Sequence, residues 1–119
     1  MGSSVEIVLR GIPQSDELER IIGEEARKLD QCCDSVQTCR VLAEELRRPK
    51  QQGVQFAVGL AITLPGAEVV VNREHAKDVR IAVREAFKAA GLQLEDRARR
   101  QGDIERRTRG ASQGGKRER

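Results

Sequence analysis

The stretch VQFAVGLAITLPGAEVVV, residues 54–71, carries the clearest structural pattern in the 119-residue chain. Large apolar residues alternate with small or polar ones from Phe56 to Leu64, which is typical of a strand with one buried face. The Pro65–Gly66 pair predicts a tight turn, and a second strand follows it. The sequence therefore predicts an antiparallel hairpin at the centre of the fold.

Two more strands and a helix are predicted before this hairpin. Residues 4–11 alternate as a strand, and residues 35–46 have the β-rich start of another, followed by a polar loop. Between them, Ser15 is a candidate N-cap for a helix over residues 15–30, whose first turn is acidic. Five apolar residues form the buried stripe of this helix: Leu18, Ile21, Ile22, Ala26 and Leu29.

A second helix is predicted after the hairpin by KDVRIAVREAFKAAG, residues 77–91. Val79, Val83 and Ala86 recur at helical spacing on one face, whereas the cations recur on another. We expect this helix to begin near Ala76 or Lys77 and to end at about residue 100.

These elements predict an α+β domain of order β-α-β-β-β-α. A strand, a helix and a strand in succession favour a parallel crossover, so a four-stranded sheet can carry both helices on one face. The domain is expected to span residues 5–101, with residues 1–4 as a leader. Residues 102–119 are rich in Gly and Arg and hold one large apolar residue, so we predict a disordered basic tail there.

Composition limits the possible functions. Aromatic residues make up 2% of the chain and charged residues 34%, so the core must be aliphatic. Residues 1–60 hold eight Lys or Arg against ten Asp or Glu, and residues 61–119 hold fourteen against nine. A basic second half indicates a phosphate-rich partner. With neither a signal peptide nor a membrane-spanning run recognised, we expect a cytoplasmic protein.

Basic residues on the second helix are the candidate binding site. On a continuous helix, four of them would stack along one side, close enough to contact successive phosphates. The alternative is a solvated face on which Asp78 and Glu85 neutralise the cations. The predicted RNA-binding residues are Lys77, Arg80, Arg84 and Lys88, followed by Arg97, Arg99 and Arg100, with Arg10 and Arg73 near strand ends. Both aromatic residues, Phe56 and Phe87, are expected in the core, which argues against base stacking.

The three cysteines, Cys32, Cys33 and Cys39, are an odd number in a chain without a recognised export signal. We therefore predict free thiols. Together with His75 they lack the paired spacing of a structural zinc site, and no group stands out to orient a nucleophile. A metal or thiol enzyme is thus the weakest interpretation.

The chain resembles the ribosome hibernation-promoting factors, also called ribosome-associated inhibitors or sigma-factor modulation proteins. Over about residues 5–100 the resemblance is carried by VEIVLRG followed by SDELERII, by ITLPGAEVVV, by KDVRIAV and by LQL. The residues that match the family's helix motif are Asp78, Ala82, Val83, Gln93 and Leu94. A Tyr and an Asp of that motif are replaced here by Arg80 and Arg84, so the positive charge lies nearer the start of the helix.

The resemblance implies a protein without catalytic activity or cofactor that binds the small ribosomal subunit and its rRNA. Members of the family occupy the mRNA and tRNA channel at the decoding region and silence ribosomes under stress. It also implies neither a membrane nor a small-molecule partner, and we expect a monomer off the ribosome. Two alternatives remain open: a double-stranded RNA-binding module, because the last helix is basic and rich in Ala, and a protein-interaction adaptor that uses the acidic first helix.

Overall fold

The computed structural model describes residues 4–33, 35–47 and 54–112, with the backbone alone described for 73–75 and 101–112. The order of the elements is β-α-β-β-β-α, as predicted. Their bounds are β1 Ser4–Arg10, α1 Asp16–Cys32, β2 Thr38–Leu46, β3 Gln55–Leu64, β4 Ala67–Ala76 and α2 Val79–Ser112. Residues 1–3 of the predicted leader lie outside the described part of the chain, and Ser4 is the first residue of β1.

The four strands form one mixed sheet in the order β1-β2-β3-β4. β1 is parallel to β2, which confirms the crossover through α1, and the other two pairs are antiparallel. The central hairpin is present with Leu64 opposite Ala67. Gly66 takes a φ of +73° in the two-residue turn, a conformation that a residue with a Cβ adopts at a cost.

An aliphatic core lies between one face of the sheet and both helices. Alternate residues of β2, β3 and β4 are buried, and three of them, Val41, Leu60 and Val71, are at most 3% exposed. They form one cluster with the apolar stripes of α1 and α2. Neither helix covers the opposite face of the sheet. Across the middle of that face, Val8, Leu42 and Gly59 lie side by side on β1, β2 and β3. The buried stripe predicted for α1 is confirmed at all five positions.

The two helices run parallel to each other. Ser15 caps α1, as predicted, by accepting a hydrogen bond from the backbone N–H of Leu18 at 3.3 Å. The first turns of the helices are joined by Glu17 and Arg80, 3.2 Å apart. Further along, Gly91 of α2 lies next to Leu29 of α1. The two helix N-termini therefore lie at the same end of the sheet, where β1, β2 and β4 end.

Both ends of α2 differ from the expected ones. The helix begins at Val79 rather than at Ala76 or Lys77, because Asp78 is its N-cap. The carboxylate of Asp78 accepts from the N–H of Arg80 at 2.8 Å, and its carbonyl accepts the first helical bond, from Ala82, at 3.0 Å. The helical backbone continues to Ser112, past the expected end at about residue 100. Residues 102–112, which were expected to be disordered, are thus described as helix. Residues 113–119 lie outside the described residues, so disorder stays a prediction for that part of the tail.

None of the helices in the described part of the chain is long and apolar enough to cross a membrane.

Ile62 of β3 is 0% exposed, so its truncation should test the aliphatic core. We expect Ile62→Ala to lower the free energy of unfolding by about 2–5 kcal/mol, because it removes buried methylenes and leaves a cavity. The measurement is urea denaturation followed by circular dichroism. The matched control is Ile81→Ala on α2, where the side chain is 51% exposed and the change should stay within about 0.5 kcal/mol. Equal losses in the two variants would contradict the assigned core.

Candidate nucleic-acid interface

The outer face of α2 presents Arg84 and Lys88 to solvent. The two residues are one turn apart, about 6 Å along the helix axis. Both are exposed, and among the described side chains neither has an ion-pair partner. They lie on this side because Val83, Ala86 and Phe87 are buried against the sheet, which fixes the rotation of the helix. This pair is the part of the predicted cation row that remains available to a ligand.

Arg80 has a different environment from Arg84 and Lys88. Its guanidinium donates hydrogen bonds to the carboxylate of Asp78, at 2.9 and 3.2 Å, and to Glu17 of α1 at 3.2 Å. These hydrogen bonds raise the pKa of Arg80 further above its ordinary value, first through Asp78 and then through Glu17. The same guanidinium lowers the pKa of Asp78, with the N–H of residue 80 as the next cause. Two carboxylates thus hold the Arg80 charge at the junction of the helices.

The remaining cations do not extend the row as predicted. Lys77 precedes the cap residue, so it is not on the helix and cannot stack below Arg80. Arg10 is the exposed last residue of β1, opposite Glu44. Arg73 lies on β4, where the structure describes the backbone alone. β1 and β4 both finish at the end of the sheet where the two helices begin. Lys77 and Arg10 therefore lie at that end of the domain and not on the outer face of α2.

The three arginines near residue 100 separate into two sites. Arg97 and Arg100 line a groove between α2 and β4, whereas Arg99 follows Lys88 by about three turns and lies on the outer face. Asp96 contacts two of them, Arg100 at 2.9 Å and Arg99 at 3.9 Å. Arg97 has no ion-pair partner among the described side chains. The cations of the outer face are therefore Arg84, Lys88 and Arg99, and the exposed Glu95 falls on the same face by helical spacing.

Sequence reasoning named Asp78 as a partner of the cations but did not assign it as the N-cap, and it did not predict the ion pairs of Asp96. Asp78 stands immediately before the apolar periodic run, which is a helix-start signal that could have placed the N-cap. Asp96 precedes Arg99 and Arg100 by three and four residues, the spacing of helical ion pairs. The contact of Glu17 with Arg80 spans 63 residues of sequence, and no local signal predicts it.

Aromatic base stacking has little support in the structure. Phe87 is 2% exposed, as expected. Phe56, also expected in the core, is only half-buried and lies outside the core cluster, at a point where the pairing of β3 with β4 is irregular. The chain has no Trp or Tyr. The surface can therefore contact phosphates through cations, but it has no platform on which to stack a row of bases.

The acidic side chains of α1 are largely engaged within the chain. Glu24 pairs with Arg20 and Glu25 with Lys28, each at 3.2 Å, and Glu19 accepts from Gln14 at 2.7 Å. Glu17 holds Arg80, as described above. The first helix is thus a surface of local ion pairs, which reduces the charge that the adaptor alternative would use to attract a partner.

The cysteines are free thiols, as predicted. Cys32 is exposed at the end of α1, Cys33 packs partly against the core, and Cys39 is buried on β2. Burial raises the pKa of the Cys39 thiol to about 11, with a smaller contribution from the charge of Asp30. Among the residues that the structure describes, no cluster of three or more Cys, His, Asp or Glu side chains could hold a metal ion. The side chain of His75 lies outside that set.

Residues 5–102 match the family described as sigma 54 modulation protein / S30EA ribosomal protein. Among solved structures, a ribosomal subunit interface protein from Coxiella burnetii superposes with a TM-score of 0.68 at 15% identity, covering 80% of this chain and 97% of that one. The Protein Y N-terminal domain from Thermus thermophilus superposes with a TM-score of 0.64 at 19% identity, covering 81% and 98%. No curated protein sequence matches the chain.

Arg80→Ala should raise the pKa of the Asp78 carboxyl toward the ordinary carboxyl value, because the guanidinium is the main group that lowers it. Some lowering should remain, since the N–H of residue 80 still donates. Because the pKa of Asp78 is lower in the folded than in the unfolded protein, its ionised carboxylate stabilises the fold at any pH above the unfolded-state pKa. This stabilisation is lost as the pH falls through the folded-state pKa. NMR titration of the carboxyl carbons measures the shift. Unchanged titration of Asp78 in the variant would exclude the contact.

Alkylation should distinguish the thiols by burial. With iodoacetamide at neutral pH, Cys32 should react readily and Cys39 only after unfolding, because the Cys39 thiol is buried and its pKa is raised to about 11. Mass spectrometry of the tryptic peptides, with and without urea, gives the labelled fraction at each cysteine. Labelling of Cys39 in the native protein at the rate of Cys32 would contradict its position in the core.

Proposed function

The chain belongs to the sigma 54 modulation protein / S30EA ribosomal protein family, and from this premise we propose that it is a ribosome-binding factor. It acts without catalysis. It occupies the decoding region of the small subunit and excludes mRNA and tRNA, which inhibits translation. The ribosome-binding unit is the domain of residues 5–101, and the basic segment 102–119 adds affinity for RNA.

The observation that carries the proposal is the pair Arg84 and Lys88 on the outer face of α2. Both cations are exposed, both are without an ion-pair partner among the described side chains, and a rigid helix holds them one turn apart. Each phosphate neutralised by such a group releases a counterion and strengthens binding. Arg99 continues the same face toward the end of the helix, although Asp96 partly offsets its charge.

The absence of an aromatic platform supports recognition of the RNA backbone over recognition of sequence. Structured rRNA presents its phosphates in a fixed arrangement, which a rigid row of cations can match without reading bases. Two observations favour a ribosome-binding factor over a double-stranded RNA-binding module. Residues 5–102 match the S30EA family, and β1 adds a fourth strand to the sheet. The internal ion pairs of α1 disfavour the adaptor alternative.

The charge-reversed double variant Arg84→Glu with Lys88→Glu tests the proposal. In sucrose gradients of cell extract, the wild-type protein should sediment with small subunits or whole ribosomes, whereas the variant should remain near the top. With purified small subunits, we expect the affinity of the variant to fall at least tenfold at low salt and to depend less steeply on salt concentration.

The matched control is the double variant Arg27→Glu with Lys28→Glu, which makes the same change of charge on the exposed face of α1. It should sediment like the wild type. Inhibition of translation in a purified system should follow the same order, with the wild type and the α1 variant active and the α2 variant weak. Equal sedimentation of both double variants would show that the outer face of α2 is not the ribosome contact. Ribosome binding by the wild type without inhibition would exclude occupation of the mRNA and tRNA channel.

A further inference from the structure

α2 continues beyond the sheet that it covers. Among the side chains that the structure describes on this helix, Leu94 is the last buried one. Arg100 lines a groove with Glu68, the second residue of β4, so the helix reaches the end of the sheet there. The helical backbone nevertheless runs to Ser112, about 18 Å further. Residues 101–112 form the projecting segment, and nearly all of it lies outside the family match, which ends at residue 102.

The projecting segment is helical although it holds one large apolar residue, Ile104. Extending a helix needs no new nucleus, because the packed part of α2 already fixes the preceding turns. Residues of opposite charge also recur at the spacing of helical ion pairs, Asp103 with Arg107 and Glu105 with Arg109. A helix that is polar on every side depends on such spacing and not on a core. The domain therefore sets the direction of the segment, and the segment extends α2 as one continuous helix.

The cations of the outer face continue in step along the projecting segment. Successive members are separated by 4, 11, 7 and 3 residues, all spacings that return to the same face of an α-helix: Arg84, Lys88, Arg99, Arg106 and Arg109. The exposed Glu95 falls on this face within the longest interval. The cations thus form two groups. The proximal group is Arg84 with Lys88, and the distal group begins at Arg99, roughly 17 Å further along the axis.

We propose that α2 binds RNA at two places, with the proximal group on the domain and with the distal group, which the projecting segment completes. The inference rests on the proposed function, because it assigns a second contact to the same face and the same partner. The ligand of both groups is the phosphate backbone. One helix holds the groups at a fixed separation, so binding of the first brings the second to the RNA with little further loss of chain freedom.

The helical backbone makes this proposal different from attraction by a basic tail. A disordered tail binds a polyanion according to its net charge, and the position of each cation matters little. A helix places only some of its residues on the face toward the partner. Arg107 follows Arg106 directly in the sequence, but it falls about 100° away around the axis. These two arginines therefore distinguish a helical contact from a tail of the same charge.

The first test compares Arg106→Glu with Arg107→Glu in binding to purified small ribosomal subunits over a range of salt concentrations. Arg106→Glu should raise the dissociation constant at least fivefold at low salt and lower the salt slope by about one. Arg107→Glu carries the same change of net charge and should stay within about twofold of the wild type. Equal effects overturn the proposal, since two large effects indicate net charge alone and two small ones indicate no contact.

The second test breaks the helix between the two groups and leaves every charge in place. Gln101→Pro removes a hydrogen bond within α2 and kinks the helix before Arg106, so the dissociation constant should again rise at least fivefold. Gln101→Ala keeps the helix and should bind like the wild type. Far-UV circular dichroism should show less helix in the Pro variant alone. Unchanged affinity of the Pro variant would overturn the requirement for one continuous helix.

The proposed function and this inference fail on different results. The function fails if Arg84→Glu with Lys88→Glu leaves sedimentation with ribosomes unchanged. The inference fails, and the function stands, if that double variant loses binding while Arg106→Glu and Arg107→Glu behave alike.

Discussion

Packing of α2 against β3 and β4 is the contact on which the rest of the structure depends. The chain has two aromatic residues, so its core is filled by aliphatic side chains whose shape alone must position the helix. Ala82, Ala86 and Ala90 are at most 2% exposed on the buried stripe, and their small size lets the helix lie close to the sheet. Because this stripe fixes the rotation of α2, it also decides which cations reach solvent.

The sequence predicted the fold well where the signal was local or periodic. Alternation in β3, the Pro65–Gly66 turn and the stripe of α1 each depend on residues a few positions apart, and all three are present. The start of α2 was placed two to three residues too early because Ala76 and Lys77 favour a helix, and the helix-start signal of Asp78 was not used. Helix spacing alone also could not show that Arg80 reaches Glu17, because that contact exists only once two distant helices lie side by side.

The folded chain arranges its charge more selectively than its net value of +3 suggests. Carboxylates placed within one turn, or on the neighbouring helix, engage Arg80, Arg99 and Arg100, so these cations already have anionic partners before any ligand arrives. A cation with such a partner gains less from a phosphate than a solvated one, because the existing contact must weaken first. Charge counts along the sequence therefore overstate the number of groups that can contribute to binding.

The parallel pairing of β1 with β2 has a consequence for how the chain folds. Ser4 pairs with Thr38, 34 residues later, whereas β3 and β4 meet across a two-residue turn. Contacts between residues close in sequence form with little loss of chain entropy, and distant ones form more slowly. We therefore expect the hairpin and α2 to assemble first. β1 is synthesised before the other three strands, yet it would join the sheet only after α1 and β2 have formed.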